Sequence, residues 1–321
     1  MPQSEPENNG VEHPSLSVVV PVYGCVRCLL ELCDRLEAVL TTVTPRYEII
    51  LVDDRSPDGA WEVIEHLVAE RPSVVGIRLS RNFGQHIAIT AGLEAATGDL
   101  VVVMDCDLQD PPERIADLVS KWREGHEIVL ARRIERNHSF FRVASAGLYF
   151  WLLRRLTEEP IDGSYGTFSL LTRKVVDAYL RFGEQDRHFL FILRWLGFKV
   201  GTIDYVHVER LTGKTSYSMS RLIRHAIDGI FFQTTVFLRW IVMAGLMFSA
   251  LGVASSGYLI YQYITRAIQP GWTSLAVLVL LSTGMILASV GVTGLYVGKI
   301  FQQAKGRPLF VVDQHIRQRP L

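Results

Sequence analysis

Val101-Val102-Val103-Met104-Asp105-Cys106-Asp107-Leu108-Gln109-Asp110-Pro111-Pro112-Glu113 passes from an unbroken apolar run to a cluster of acids and then to a helix start. The apolar run has the length and composition of a strand covered on both faces, as in a parallel sheet. Side chains two apart on a strand share a face. Asp105 and Asp107 are therefore expected to aim at one point beyond the strand end, with Gln109 close behind and Cys106 on the opposite face. Three oxygen donors so placed suit a hard cation, Mg²⁺ or Mn²⁺, which usually also takes oxygens from a substrate phosphate. Asp110 has the chemistry of an N-cap, Pro112 that of an early helical position, and Glu113 falls in the first turn.

The same alternation extends toward the N-terminus. Leu16 to Val20 reads as a strand ending at Pro21-Val22-Tyr23-Gly24, followed by a helix over about Leu29 to Leu40. Tyr47 to Val52 is a second strand, ending in Asp53-Asp54-Arg55-Ser56-Pro57-Asp58-Gly59, and Trp61 to Glu70 a second helix. Val74 to Leu79 ends at Ser80-Arg81-Asn82-Phe83-Gly84; a helix over Ile87 to Ala96 closes at Gly98, and Leu100 to Met104 follows as the fourth strand. Strand and helix alternating at this spacing predict a mostly parallel α/β sheet with helices on both faces. Ligands of such sheets bind beyond the carboxyl ends of the strands, where every polar cluster just named sits. Neither G-x-G-x-x-G nor G-x-x-x-x-G-K-[ST] occurs, which argues against a dinucleotide or P-loop site.

The chain has 321 residues, with 33 basic and 33 acidic side chains balancing to zero formal charge, so no pull on nucleic acid is implied. Met1 to Pro14 is polar and reads as a loose tail; it lacks the basic start and apolar core of a signal peptide. The cysteines are Cys25, Cys28, Cys33 and Cys106. No second C-x-x-C or H-x-H pair answers Cys25 and Cys28, so all four are expected as free thiols in a reducing compartment.

Two stretches without formal charge, Trp240 to Thr265 and Ala267 to Gly298, lie toward the C-terminus. Roughly 20 apolar residues of helix cross a bilayer core, so both predict membrane-spanning helices. Arg221, Arg224 and Arg239 precede them and Lys299, Lys305 and Arg307 follow, whereas Arg266 to Trp272 between them holds one positive charge. The positive-inside rule then puts both flanks, and the large N-terminal domain, in the cytoplasm. Trp240, Tyr258, Tyr261, Tyr263, Trp272 and Tyr296 lie near the expected interfaces. Met219 to Phe232 has the spacing of an amphipathic helix, suited either to the headgroup plane or to packing on the soluble domain. The expected layout is a tail over 1–14, a soluble domain over 15–215, an amphipathic region over 216–238, a two-helix hairpin over 239–300 and a C-terminal tail over 301–321.

Taken together, VVVPVYG, YEIILVDDRSPDG, LSRNFGQHIAITAGLEAATGD, VVVMDCDLQDPPE, RLTGKTSYS and GKIFQQAKGRPLFVV resemble glycosyltransferase family 2, of the GT-A fold. Within it the chain is most similar to the polyprenyl-phosphate sugar transferases: dolichyl-phosphate mannose synthases, bactoprenol glucosyl transferases and aminoarabinose transferases. The resemblance implies inverting, metal-dependent transfer of one sugar from a UDP- or GDP-linked donor to a polyprenyl phosphate such as undecaprenyl phosphate. It would act at the cytoplasmic face of a bacterial inner membrane. It implies Pro21, Tyr23, Asp53 and Arg81 around the nucleotide, with Asp53 reading the base. Asp105, Asp107 and Gln109 would hold Mg²⁺ or Mn²⁺. Arg132, Arg133 or Arg136 would face phosphates, and Arg210 and Lys214 would grip the lipid phosphate. Glu48 is left as structural. A homo-oligomer, possibly a tetramer, is implied in the same way.

One departure stands out. Many relatives carry D-x-G-D-F-R-L where this chain has Ser164-Tyr165-Gly166-Thr167-Phe168-Ser169-Leu170, so Thr167 replaces an acid often proposed as a base. Asp162 or Thr167 could still touch the sugar. Two other readings stay open. A processive polysaccharide synthase would use Q-x-x-R-W, of which only Arg194-Trp195 is present. A catalytically inactive sugar-nucleotide-binding scaffold is the other.

Overall fold

A computed structural model describes residues 14–134, 164–185, 187–206, 236–266 and 271–318. Residues 1–13 of the expected tail and the amphipathic helix at Met219 to Phe232 lie outside these residues. The chain divides into two compact units, one built on the sheet and one on two long helices.

Eight strands form one sheet in the order β7-β5-β6-β4-β1-β2-β3-β8. They are β1 Leu16–Val22, β2 Tyr47–Asp53, β3 Val74–Leu79, β4 Leu100–Val103, β5 Ile128–Ile134, β6 Tyr165–Thr172, β7 Val200–Val206 and β8 Val312–Arg317. β4, β1, β2 and β3 run parallel, as does β5 with β7. β6 is antiparallel to β4 and β5, and β8 is antiparallel to β3. Every residue of β1 is buried, as a central strand covered on both faces requires. Helices α1 Leu29–Val43, α2 Ala60–Glu70 and α4 Ile115–Arg123 pack on one face around Leu36, Ile64 and Leu118. Helices α3 Gln85–Ala95, α5 Arg173–Leu180 and α6 Phe189–Trp195 pack on the other around Ile89, Val176 and Phe189. Gly92 lets α3 come against β1, since a Cβ there would lie 2.3 Å from Val19 Cγ1.

The sequence-derived elements match to within a few residues, with one consequential difference. β4 stops at Val103 and the chain turns through Cys106 to Leu108, which adopts a left-handed backbone (φ 61°). Asp105 and Asp107 are therefore placed by a turn and not by strand alternation. The parallel order reverses between β1 and β4, because β2 and β3 are added on one side of β1 and β4 on the other. In open α/β sheets the carboxyl ends of the strands at such a switch point are where ligands bind.

The second unit holds α7 Val236–Arg266 and α8 Trp272–Ala304. Among the described residues one stretch, Leu281–Ala304, is long and apolar enough to cross a membrane; Ile241–Gly252 is a shorter apolar stretch. The segment 301–321, read from sequence as a tail, instead supplies β8 at the edge of the first unit's sheet.

At the opposite, amino ends of the strands, Glu48 is buried and holds three segments together. Its Oε1 accepts from Ser17 Oγ (2.7 Å) and from the amide and hydroxyl of Thr97 (both 2.8 Å). Its Oε2 pairs with Arg317 Nη2 of β8 at 3.3 Å. Removing a buried acceptor orphans these donors, so Glu48→Ala should cost about 3 kcal/mol, or roughly 6–12 °C in melting midpoint for a unit of this size. An unchanged midpoint would remove Glu48 from this role.

Candidate active site

Four loops meet at the carboxyl ends of these strands, and side-chain oxygens tie them to one another. Asp54, buried, accepts from the amides of Phe83 (2.7 Å) and Gly84 (2.8 Å), joining the loop after β2 to the loop after β3. Ser56 Oγ accepts from the Gly24 amide at 2.8 Å and Asp58 Oδ2 from the Val26 amide at 2.9 Å, joining the β2 loop to the β1 loop. Gln85, at the start of α3, donates to Asp105 Oδ1 at 2.7 Å. From β6, Thr167 Oγ1 donates to the same oxygen at 2.8 Å. The chain closes the ring covalently: Cys25 and Cys106 form a disulfide, Cα to Cα 6.4 Å. This corrects two expectations, that all cysteines are free and that Cys106 faces away. β1 and β4 are hydrogen-bonded neighbours, so residues just past their ends meet whatever their separation in sequence. Cys28 and Cys33 lie outside the disulfide.

Asp105 is partly buried, with its side chain 28% exposed. Burial, followed by the nearby charges of Asp110 and Asp107, pushes its pKa up to about 6, against the opposing pull of the Thr167 hydrogen bond and Arg133. Asp107 Oδ1 accepts from the Gln109 amide at 3.2 Å. Arg133 on β5 reaches in with Nη2 4.0 Å from Asp105 Oδ2 and 3.5 Å from Asp110 Oδ1. Asp105 and Asp110 thus share one guanidinium and Asp107 adds a further negative charge near Asp105, a deficit of positive charge that a divalent cation would fill. Among the described residues no three His, Cys, Asp or Glu side chains converge into a complete cage. Asp105, Asp107 and Gln109, the expected metal-holding residues, lie in the one loop that follows β4.

The structure places the sequence-derived candidates as follows. Asp110 is no N-cap: Pro111 precedes the short 3₁₀ turn Pro112–Arg114, and Asp110 is fully buried against Arg133 and Tyr205. Asp53 is also fully buried, its Oδ1 taking the Ser56 amide at 2.8 Å and its Oδ2 lying 3.4 Å from Arg78 Nε; it shapes the loop from within. Pro21 is buried in β1, whereas Tyr23 stands 54% exposed at its end. Arg81 is exposed, its guanidinium 4.1 Å from the Phe83 ring centroid. Arg132, one residue from Arg133 on the strand, pairs with Asp204 through two hydrogen bonds of 2.6 and 2.8 Å. Asp162, Arg136, Arg210 and Lys214 lie outside the described residues. Sequence reasoning missed Gln85 and the pair formed by His86 and His188, whose rings lie 4.5 Å apart and whose pKa values burial lowers to about 4.

The model of the family described as Glycosyl transferase family 2 matches residues 17–180. The uncharacterized glycosyltransferase YkcC of Bacillus subtilis is 38% identical over 305 residues, covering 94% of each chain. An undecaprenyl-phosphate 4-deoxy-4-formamido-L-arabinose transferase of Klebsiella pneumoniae is 34% identical over 310 residues, again 94% of each. Among solved structures, a mannosyltransferase of Pyrobaculum calidifontis in complex with GDP-mannose and Mn²⁺ is 18% identical, covers 87% of each chain and has a TM-score of 0.46.

The thiols offer a direct check of this arrangement. Cys33 is buried, its thiol pushed up to about 12 chiefly by that burial, and a thiol so raised is a poor nucleophile. Alkylation of the native protein without reductant, followed by peptide mapping, should recover Cys25 and Cys106 as one cross-linked pair and Cys33 unlabelled. Cys25 and Cys106 both recovered alkylated would refute the pairing.

Proposed function

The chain belongs to glycosyl transferase family 2 and is a glycosyltransferase, and from that premise we propose that it moves one sugar from a nucleotide sugar to a polyprenyl phosphate. The observation behind this reading is the loop at the switch point that bears Asp105, Asp107, Gln109 and Asp110, with Arg133 4.0 Å from Asp105 and 3.5 Å from Asp110. The acceptor class is supported by the 34% identity, along nearly the whole chain, to a protein named for undecaprenyl phosphate.

In this mechanism the nucleotide lies along the loops after β1 and β2, with exposed Tyr23 beside its base and Arg81 near its phosphates. A divalent ion held by Asp105, Asp107 and Gln109 would neutralise the charge that develops on the departing diphosphate. Arg133 presents a planar fork to the same oxygens. Gln85 and Thr167 hold Asp105 by its Oδ1, leaving Oδ2 outside those bonds and 4.0 Å from Arg133. The acceptor phosphate is anionic near neutral pH, so attack needs little help from a base. Thr167 in place of an acid is compatible with that. Arg210 and Lys214 are proposed to hold the lipid phosphate, and in-line displacement would invert the anomeric centre. α7 and α8 are proposed as a membrane hairpin, with Met247 at 72% and Ile300 at 67% exposure as examples of its apolar surface. The positively charged flanks favour the cytoplasmic leaflet.

The test is turnover of a panel of UDP- and GDP-sugars with undecaprenyl phosphate in detergent. Asp107→Ala should lower transfer by about a thousandfold or more while the protein stays folded, and chelation of wild type should do the same until Mn²⁺ or Mg²⁺ is restored. Wild-type rates in chelator would end the metal reading. Arg210→Ala should raise KM for the lipid more than for the nucleotide sugar; equal rises would give Arg210 another part.

A further inference from the structure

Asp110 and Tyr205 take no part in the chemistry just described, yet they converge on it. Tyr205 on β7 is 1% exposed and Asp110, in the loop after β4, is fully buried. The Tyr205 hydroxyl donates to Asp110 Oδ1 and accepts from Arg133 Nε at 2.9 Å. Arg133 Nη2 lies 3.5 Å from the same Asp110 oxygen. Burial and the Asp110 charge raise the Tyr205 pKa, which keeps its proton in this bond. Phe168 packs edge-on against the Tyr205 ring, centroids 5.7 Å apart, and fixes its plane. On β6, Gly166 leaves the room the guanidinium occupies: a Cβ there would lie 2.6 Å from Nη2. Burying a carboxylate is costly, and a packed apolar residue often serves stability as well or better. What the buried pair achieves here is direction. It engages the Nε and Nη2 edge of the guanidinium, with Nη2 lying between Asp110 at 3.5 Å and Asp105 at 4.0 Å, and Nη1 has no hydrogen-bond partner among the described residues.

We infer that Asp110 and Tyr205 are positioning residues that aim Arg133 at the diphosphate of the nucleotide sugar, an inference that rests on the phosphate-binding reading of Arg133 above. They act through Arg133 and touch no substrate themselves. Their removal should weaken donor binding only while Arg133 is present.

A double-mutant cycle tests this on the full chain, with steady-state kinetics for the nucleotide sugar. Tyr205→Phe and the isosteric Asp110→Asn should each raise donor KM about tenfold and change kcat by less than about threefold. Gly166→Ala, which crowds the guanidinium from the other side, should act in the same direction. In an Arg133→Ala background, Tyr205→Phe should add less than about twofold. The inference is overturned if Tyr205→Phe is as damaging without Arg133 as with it. It is equally overturned if the melting midpoint and kcat fall while donor KM stays put, which would mark a purely structural pair. Arg133→Ala with unchanged donor KM would instead defeat the phosphate reading itself and take the inference with it. Should Asp110→Asn fail to fold, Tyr205→Phe decides alone.

Discussion

The site depends on carboxylates that bind backbone amides across loops. A loop at the end of a parallel strand has no ladder to hold it, so its geometry must come from elsewhere. Asp54 supplies it by taking two consecutive amides of the neighbouring loop, Phe83 and Gly84, in charge-assisted bonds. Asp58 and Ser56 do the same toward Val26 and Gly24. The disulfide between Cys25 and Cys106 then joins the first of these loops to the one that bears Asp105 and Asp107. Arg55 and Leu108, the non-glycine residues with positive φ among those described, lie in two of these same loops. Backbone strain of this kind persists where surrounding bonds over-determine the chain.

The first four strands and their helices were legible because each strand is a continuous apolar run and each loop a polar cluster. The acids that matter in the loops were also visible, for the same reason. Their separate tasks were not. Asp53, Asp54 and Asp58 look alike in sequence, and only the fold turns the first two inward and leaves Asp58 on the outside. Asp110 reads locally as a cap because the residues that claim it, Arg133 and Tyr205, sit on strands far along the chain. The disulfide was unreadable for a related reason: Cys25 and Cys106 are 81 residues apart and meet only because β4 is laid beside β1. The alternation argument for Asp105 and Asp107 assumed strand geometry as far as Asp107, whereas the strand ends at Val103. β8 is short, polar and mostly exposed, so nothing in its own composition announces a strand.

β8 is formed by chain that follows both long helices, yet it pairs with β3 and brings Asp313 within 2.9 Å of Arg55 in the loop after β2. It also delivers Arg317 to Glu48. During synthesis the catalytic sheet therefore waits, with the β3 edge bare, until the ribosome has passed the last helix. A chain that stalls before that point presents an open edge to its neighbours, whereas a finished one has sealed it. The order of translation thus makes completion of the enzyme's sheet a record that the helices have already been made.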